Sequence, residues 1–99
     1  MARTRRYHPL VADDLAAAVA YFDDISVDLG NSFRASVRHR VETIADRPES
    51  FGCVHEQLRA VLVGRFPYLI LFEIEKETVA ILVIFHAASD RERWFKRSF

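Results

Sequence analysis

The sequence predicts an α+β fold, a helical hairpin packed on a small, mainly antiparallel sheet in the order β-α-α-β-β-β. Three observations carry that reading. Apolar residues recur every three or four positions through the first half of the chain. After Arg47-Pro48-Glu49-Ser50 the pattern changes to alternating or unbroken apolar runs, as strands require. Only short segments separate the elements. The 99 residues are enough for one domain with one core, expected to span 1–99.

Residues Thr4–His8 read as a short strand stopped by Pro9. Helix one is expected at Val11–Leu29, with Val11, Leu15, Val19, Phe22, Ile25 and Leu29 on one stripe and Asp13 and Asp14 at its positive end. Gly30 is expected to close it, and Asn31 or Ser32 to cap helix two, Ser32–Asp46, whose stripe is Phe33, Val37, Val41 and Ile44. So short a connection makes the pair an antiparallel hairpin.

Three strands are expected next, Glu56–Val63, Tyr68–Glu75 and Thr78–Phe85, followed by a short helix or ordered tail at Arg91–Arg97. In Tyr68–Glu75, Tyr68, Ile70, Phe72 and Ile74 share one face, and Leu69, Leu71, Glu73 and Glu75 the other. In Thr78–Phe85 both faces are apolar: Val79, Ile81, Val83 and Phe85 against Ala80, Leu82 and Ile84. Phe22, Phe33, Val37, Val41, Ile70, Phe72, Ile81 and Val83 are expected to form one core. One helical layer covers one sheet face; the other needs the tail, a homodimer mate or another protein.

Composition narrows the function. The chain is 51% hydrophobic and 28% charged, as folded proteins are. Its formal net charge is zero, unlike a protein built mainly to grip phosphates. Arg3, Arg5 and Arg6 nevertheless make one basic end, Asp13 to Asp28 an acidic stretch, and Arg91 to Arg97 a basic tail. No apolar run is long enough to span a membrane and no signal peptide pattern is present, so a cytoplasmic location is expected. Cys53 is the sole cysteine, which fits a reducing compartment and reads as a structural residue. The four histidines have no zinc-site spacing, and neither a Gly-rich phosphate loop nor a nucleophile elbow is present, so no metal and no cofactor is expected.

The most specific stretch is Arg59–Arg97. An arginine precedes a strand entered through Phe66-Pro67-Tyr68, a charged turn Lys76-Glu77 follows, and the next strand ends in His86-Ala87-Ala88-Ser89-Asp90 before Trp94 and Arg97. This order resembles the RelE/ParE toxin family of bacterial type II toxin–antitoxin modules, and Ala12, Leu15, Tyr21, Phe33 and Pro48 also stand where similar residues usually occur. The departure is Ser89, where the family commonly has Arg.

The resemblance implies a toxin neutralised by a cognate antitoxin, which would lay an extended or helical segment over apolar sheet and helix surfaces. It implies two alternative activities. RelE-like members cut messenger RNA in the ribosome; ParE-like members, the plasmid-stabilisation branch, inhibit DNA gyrase. The Pro67-Tyr68 and Trp94–Arg97 pattern, zero net charge and only two lysines, Lys76 and Lys96, favour the ParE-like branch. Arg59, His86, Arg91, Trp94 and Arg97 are then the expected functional surface. For RNA cleavage, His86 is the candidate acid or base, Glu56 the base, and Arg59 and Arg65 the phosphate holders. Each has a plainer use: Arg59 as the partner of a carboxylate such as Glu73, His86 as a strand-end hydrogen-bonding group, Trp94 and Tyr68 as packing aromatics. A third reading, suggested by Ser89, is an inactive family member kept as a binding module.

Overall fold

A computed structural model of the chain describes residues 2–99. The elements are β1 (Thr4–Tyr7), α1 (Val11–Ile25), α2 (Val27–Asp46), a 3-10 turn (Pro48–Ser50), β2 (Cys53–His55), β3 (Leu58–Leu62), β4 (Tyr68–Glu75), β5 (Thr78–His86) and α3 (Arg91–Phe95). The strands form one sheet in the order β1-β5-β4-β3-β2. β1 runs parallel to β5 and every other pairing is antiparallel. The α+β hairpin-on-sheet architecture agrees with the sequence reading.

Two boundaries and one strand register differ from expectation. Helix one ends at Ile25, not Leu29, because Ser26 is extended (φ −165°, ψ 143°) and breaks the helical run. Its N–H donates to the Phe22 carbonyl, while its hydroxyl accepts from the Leu29 N–H at 3.0 Å, so one serine closes α1 and caps α2. Gly30, Asn31 and Ser32 therefore lie inside α2 rather than at a joint. Gly30 is buried at the helix crossing, where a Cβ would fall 1.7 Å from the Asp23 carboxylate as placed. The strand expected from Glu56 begins at Leu58 instead, since Glu56 has φ 51° and occupies a turn. That turn joins a fifth strand, β2, which periodicity did not indicate.

The third difference redistributes the core. Leu71 pairs with Val83 but Phe72 pairs with Ile81, so Leu82 is an extra residue in β5. Strict alternation fails there. Val79, Ile81 and Ile84 pack with the helices, together with Phe33, Phe72, Ile70 and Ile44. Ala80, Leu82, Val83 and Phe85 fall on the other face with Leu58 and Leu71. Val83 thus leaves the single core expected for it, while Phe22, Phe33, Val37, Val41, Ile70, Phe72 and Ile81 stay in theirs.

The second sheet face is covered by the chain's own tail. Trp94 and Phe95 pack on that cluster, with the Phe85 and Trp94 rings 5.9 Å apart and Phe95 stacked on His55 at 5.0 Å. An antitoxin is therefore not needed to bury it, contrary to one of the options above. Phe72 and Leu71 are both fully buried, on opposite faces. Phe72→Ala should cost about 3–5 kcal/mol and Leu71→Ala about 2–5 kcal/mol in urea unfolding. A negligible loss for Leu71→Ala would mean that the tail leaves its face open.

Candidate functional site

The sequence candidates separate into a tail-side surface and groups scattered along the sheet. His86 ends β5 opposite Tyr68, the first residue of β4, and is exposed. Its Nδ1 accepts from the Ala88 N–H at 3.0 Å, which places the proton of a neutral ring on Nε2. Tyr68 meets the His86 ring edge-on at 5.2 Å and leans on Phe33 at 5.1 Å. Burial, then the neighbouring Tyr21, pushes the Tyr68 phenol above its ordinary pKa of 10.0.

Ser89 joins His86 to Trp94. Its hydroxyl donates to the His86 carbonyl at 2.6 Å and accepts from the Trp94 indole N–H at 2.9 Å. Asp90 then caps α3 by accepting from the Glu92 N–H at 3.1 Å. Arg91 is exposed at the start of that helix, and Arg93 lies over the Trp94 ring at 4.5 Å. The residue that departs from the family pattern thus has a defined local task.

Arg97 is mostly buried rather than displayed. Its guanidinium donates to both oxygens of Asp14, at 2.7 and 3.2 Å, and to the Leu82 carbonyl at 3.1 Å. The two side chains are only 12% and 11% exposed. Asp14 also accepts from the Ile84 N–H at 3.1 Å. Asp14 was legible only as a helix-dipole residue; its real partners lie far along the chain.

The groups suited to RNA cleavage are not gathered. Arg59 pairs with Phe72 across the sheet, and Phe72 lies four positions along β4 from Tyr68, the partner of His86, about 13 Å at strand rise. Arg59 donates to the Phe51 carbonyl and, among the described residues, makes no ion pair, so the plainer use offered for it, a carboxylate such as Glu73, is replaced by a backbone oxygen. Glu56 lies beyond β3 at the opposite end of the sheet, 3.9 Å from His55. Arg65 follows Gly64 in the β3–β4 turn, with its guanidinium 5.5 Å from the Phe66 ring.

A second feature was missed in sequence. A groove of about 650 Å³ opens between β1, the start of α1 and α2. Val11, Leu15, Val37, Val41, Ile81 and Ile84 make its floor, and Arg5, Arg34 and Arg38 stand along its rim with Glu42. Among the described residues these three arginines make no ion pair. The four-residue spacing of Arg34 and Arg38 beside Val37 and Val41 was the available signal, but it reads equally as solvated surface.

Two measurements check this geometry. Ser89→Ala should cost about 1–3 kcal/mol, because it strands the Trp94 indole N–H. It should also shift the emission of the chain's single tryptophan; unchanged emission and stability would refute the bridge. Tyr68 is held neutral by the fold, so its stabilising contribution is complete below pH 10.0 and is lost as pH rises through its raised folded value. Alkaline destabilisation should therefore be shallower in Tyr68→Phe than in the parent.

Comparison with known proteins agrees with this architecture. The family described as the ParE toxin of the type II toxin–antitoxin system parDE matches residues 5–91. Among solved structures, a chain of the chromosomal ParDE toxin–antitoxin system from P. aeruginosa superposes with a TM-score of 0.74 at 16% identity, covering 85% of this chain and 95% of that one. No curated protein matches the sequence. With nearly the whole chain matched to the family, helices and sheet included, the protein belongs to the ParE toxin family of type II toxin–antitoxin systems.

Proposed function

We propose that the protein inhibits growth by binding DNA gyrase and is neutralised by a cognate antitoxin. The observation that carries the choice of target is the separation of His86 from Glu56 and Arg59 along the sheet. Cleavage of an RNA phosphodiester needs a base, an acid and a cation around one phosphate. Of the other groups named for cleavage, Arg65 alone is in the turn at the His86 end of the sheet, and Arg59 donates to the Phe51 carbonyl. A protein that works by contact needs no such convergence. His86, Arg91 and Trp94 form the contact surface in this reading, and Arg97 holds it in place. Zero net charge also suits a protein partner better than ribosomal RNA.

The antitoxin's seat in this proposal is the groove between β1 and the helical hairpin. Its apolar floor and arginine rim fit a segment with an apolar stripe flanked by carboxylates. The sheet face first considered for this partner is already filled by Trp94 and Phe95. Among the described residues no helix is long and apolar enough to cross a membrane.

The test is made with purified gyrase. Supercoiling should be inhibited in the absence of RNA and ribosomes. His86→Ala should weaken that inhibition only as far as it disturbs the contact surface. Unimpaired supercoiling at saturating protein, with codon-linked mRNA cuts that His86→Ala reduces ~10²–10⁴-fold, would establish the ribonuclease alternative. Inactivity in both assays with the fold intact would establish the binding-module reading.

A further inference from the structure

The groove and the C-terminal tail share two structural members. Val11, Ala12 and Leu15 line the groove, while Asp14, in the same turn of α1, holds Arg97 of the tail. His8 lines the groove as well, and its Nε2 lies 3.0 Å from the Ser98 carbonyl oxygen. Its ring is 5.5 Å from that of Phe99, over which the Arg6 guanidinium sits at 3.7 Å. The last three residues of the chain are thus fastened to the strand and helix that form one wall of the groove.

We propose that groove and tail are thermodynamically linked through Asp14 and His8: a ligand that fills the groove tightens the tail on the sheet, and an undocked tail weakens the groove. The proposal rests on the groove being a ligand seat, as argued above. Its physical basis is the anchoring of the shared wall. The His8 N–H bonds the Ile81 carbonyl, and Asp14 bonds the Ile84 N–H, so the start of α1 is fixed against β5. Undocking removes both Arg97 bonds from Asp14 and the Ser98 contact from His8. The wall then loses its outer support, and a ligand that requires the wall in place favours the docked state. Such preference is the only way a ligand can shift a conformational equilibrium. Linkage makes the effect reciprocal, with one factor describing both directions.

For antitoxin control, this means that a partner seated in the groove also acts on the surface bearing Trp94, without touching it. The groove lies on the helical side of β5, and Trp94 packs on the other side.

The test uses the intact chain and the dye 1-anilinonaphthalene-8-sulfonate, whose rings suit the apolar floor and whose sulfonate suits the arginine rim. Dye affinity is read by fluorescence. Tail docking is read from hydrogen exchange of the Trp94 indole N–H, a single resonance because the chain has one tryptophan. The dye should slow indole exchange by a factor of ~5–10, within the usual range of coupling between sites. Arg97→Gln should weaken the dye by the same factor, although Arg97 is not among the groove-lining residues, and should abolish the exchange response. Arg97→Lys keeps the charge without the fork and should be intermediate in both readouts. Arg38→Glu should weaken the dye while leaving dye-free indole exchange unchanged.

Equal dye affinity in the parent and both Arg97 variants, or indole exchange unmoved by bound dye, would overturn the linkage and leave the groove intact as a seat. Dye affinity untouched by Arg38→Glu would remove the seat and the linkage together.

Discussion

The Asp14 carboxylate is the point on which three parts of the chain depend. It receives the guanidinium of Arg97 and the N–H of Ile84, while Arg97 also takes the Leu82 carbonyl. The need for it follows from the shortness of β1. Beyond the bond from His8 to Ile81, no strand among the described residues accompanies that side of β5. Backbone groups left there without partners would carry the full cost of desolvation. Side chains from α1 and the tail replace the missing strand, and the opposed charges satisfy each other. A buried pair of this kind is weak as a source of net stability, yet removing either member is costly. Its contribution is therefore to position: it fixes where α1 begins relative to β5 and where the tail ends.

The same feature explains why part of the fold was legible in sequence and part was not. β4 is regular, so alternation assigned Ile70 and Phe72 to one face and Leu71 to the other, as observed. β5 carries the same apolar residue types without a local mark for its bulge. The groups that bond around Leu82 come from positions 14 and 97, too distant for periodicity to sense. Helix one shows a different failure. Gly30 is a familiar stop signal and Ser26 a weaker one, but Gly30 lies buried within α2, against the Asp23 side chain of α1. Sequence patterns report local preference; here tertiary contact decided which signal was used.

Ser89 bears on how the family resemblance should be read. At a position where arginine is common, the hydroxyl both donates and accepts, and the two bonds join the end of β5 to the indole of Trp94. A guanidinium only donates, so it could not accept from the indole. Ser89 thus has a structural task of its own at this corner, whatever the activity.

The distribution of charge gives the two surfaces different characters. The groove combines apolar floor with arginines that lack carboxylate partners among the described residues, whereas Arg97 at the tail is neutralised by Asp14. An unpaired arginine beside apolar surface retains its capacity for a bidentate bond to an incoming carboxylate, and the apolar floor lowers the local dielectric in which that bond forms. A paired and desolvated arginine has spent that capacity on the fold. In the proposed reading, recognition of an acidic partner belongs with Arg5, Arg34 and Arg38. The tail supplies shape, with an exposed imidazole at its start and the indole laid over the sheet. Two surfaces so different in chemistry suit two different partners, and under the proposed linkage the shared α1 wall would let one partner influence what the other meets.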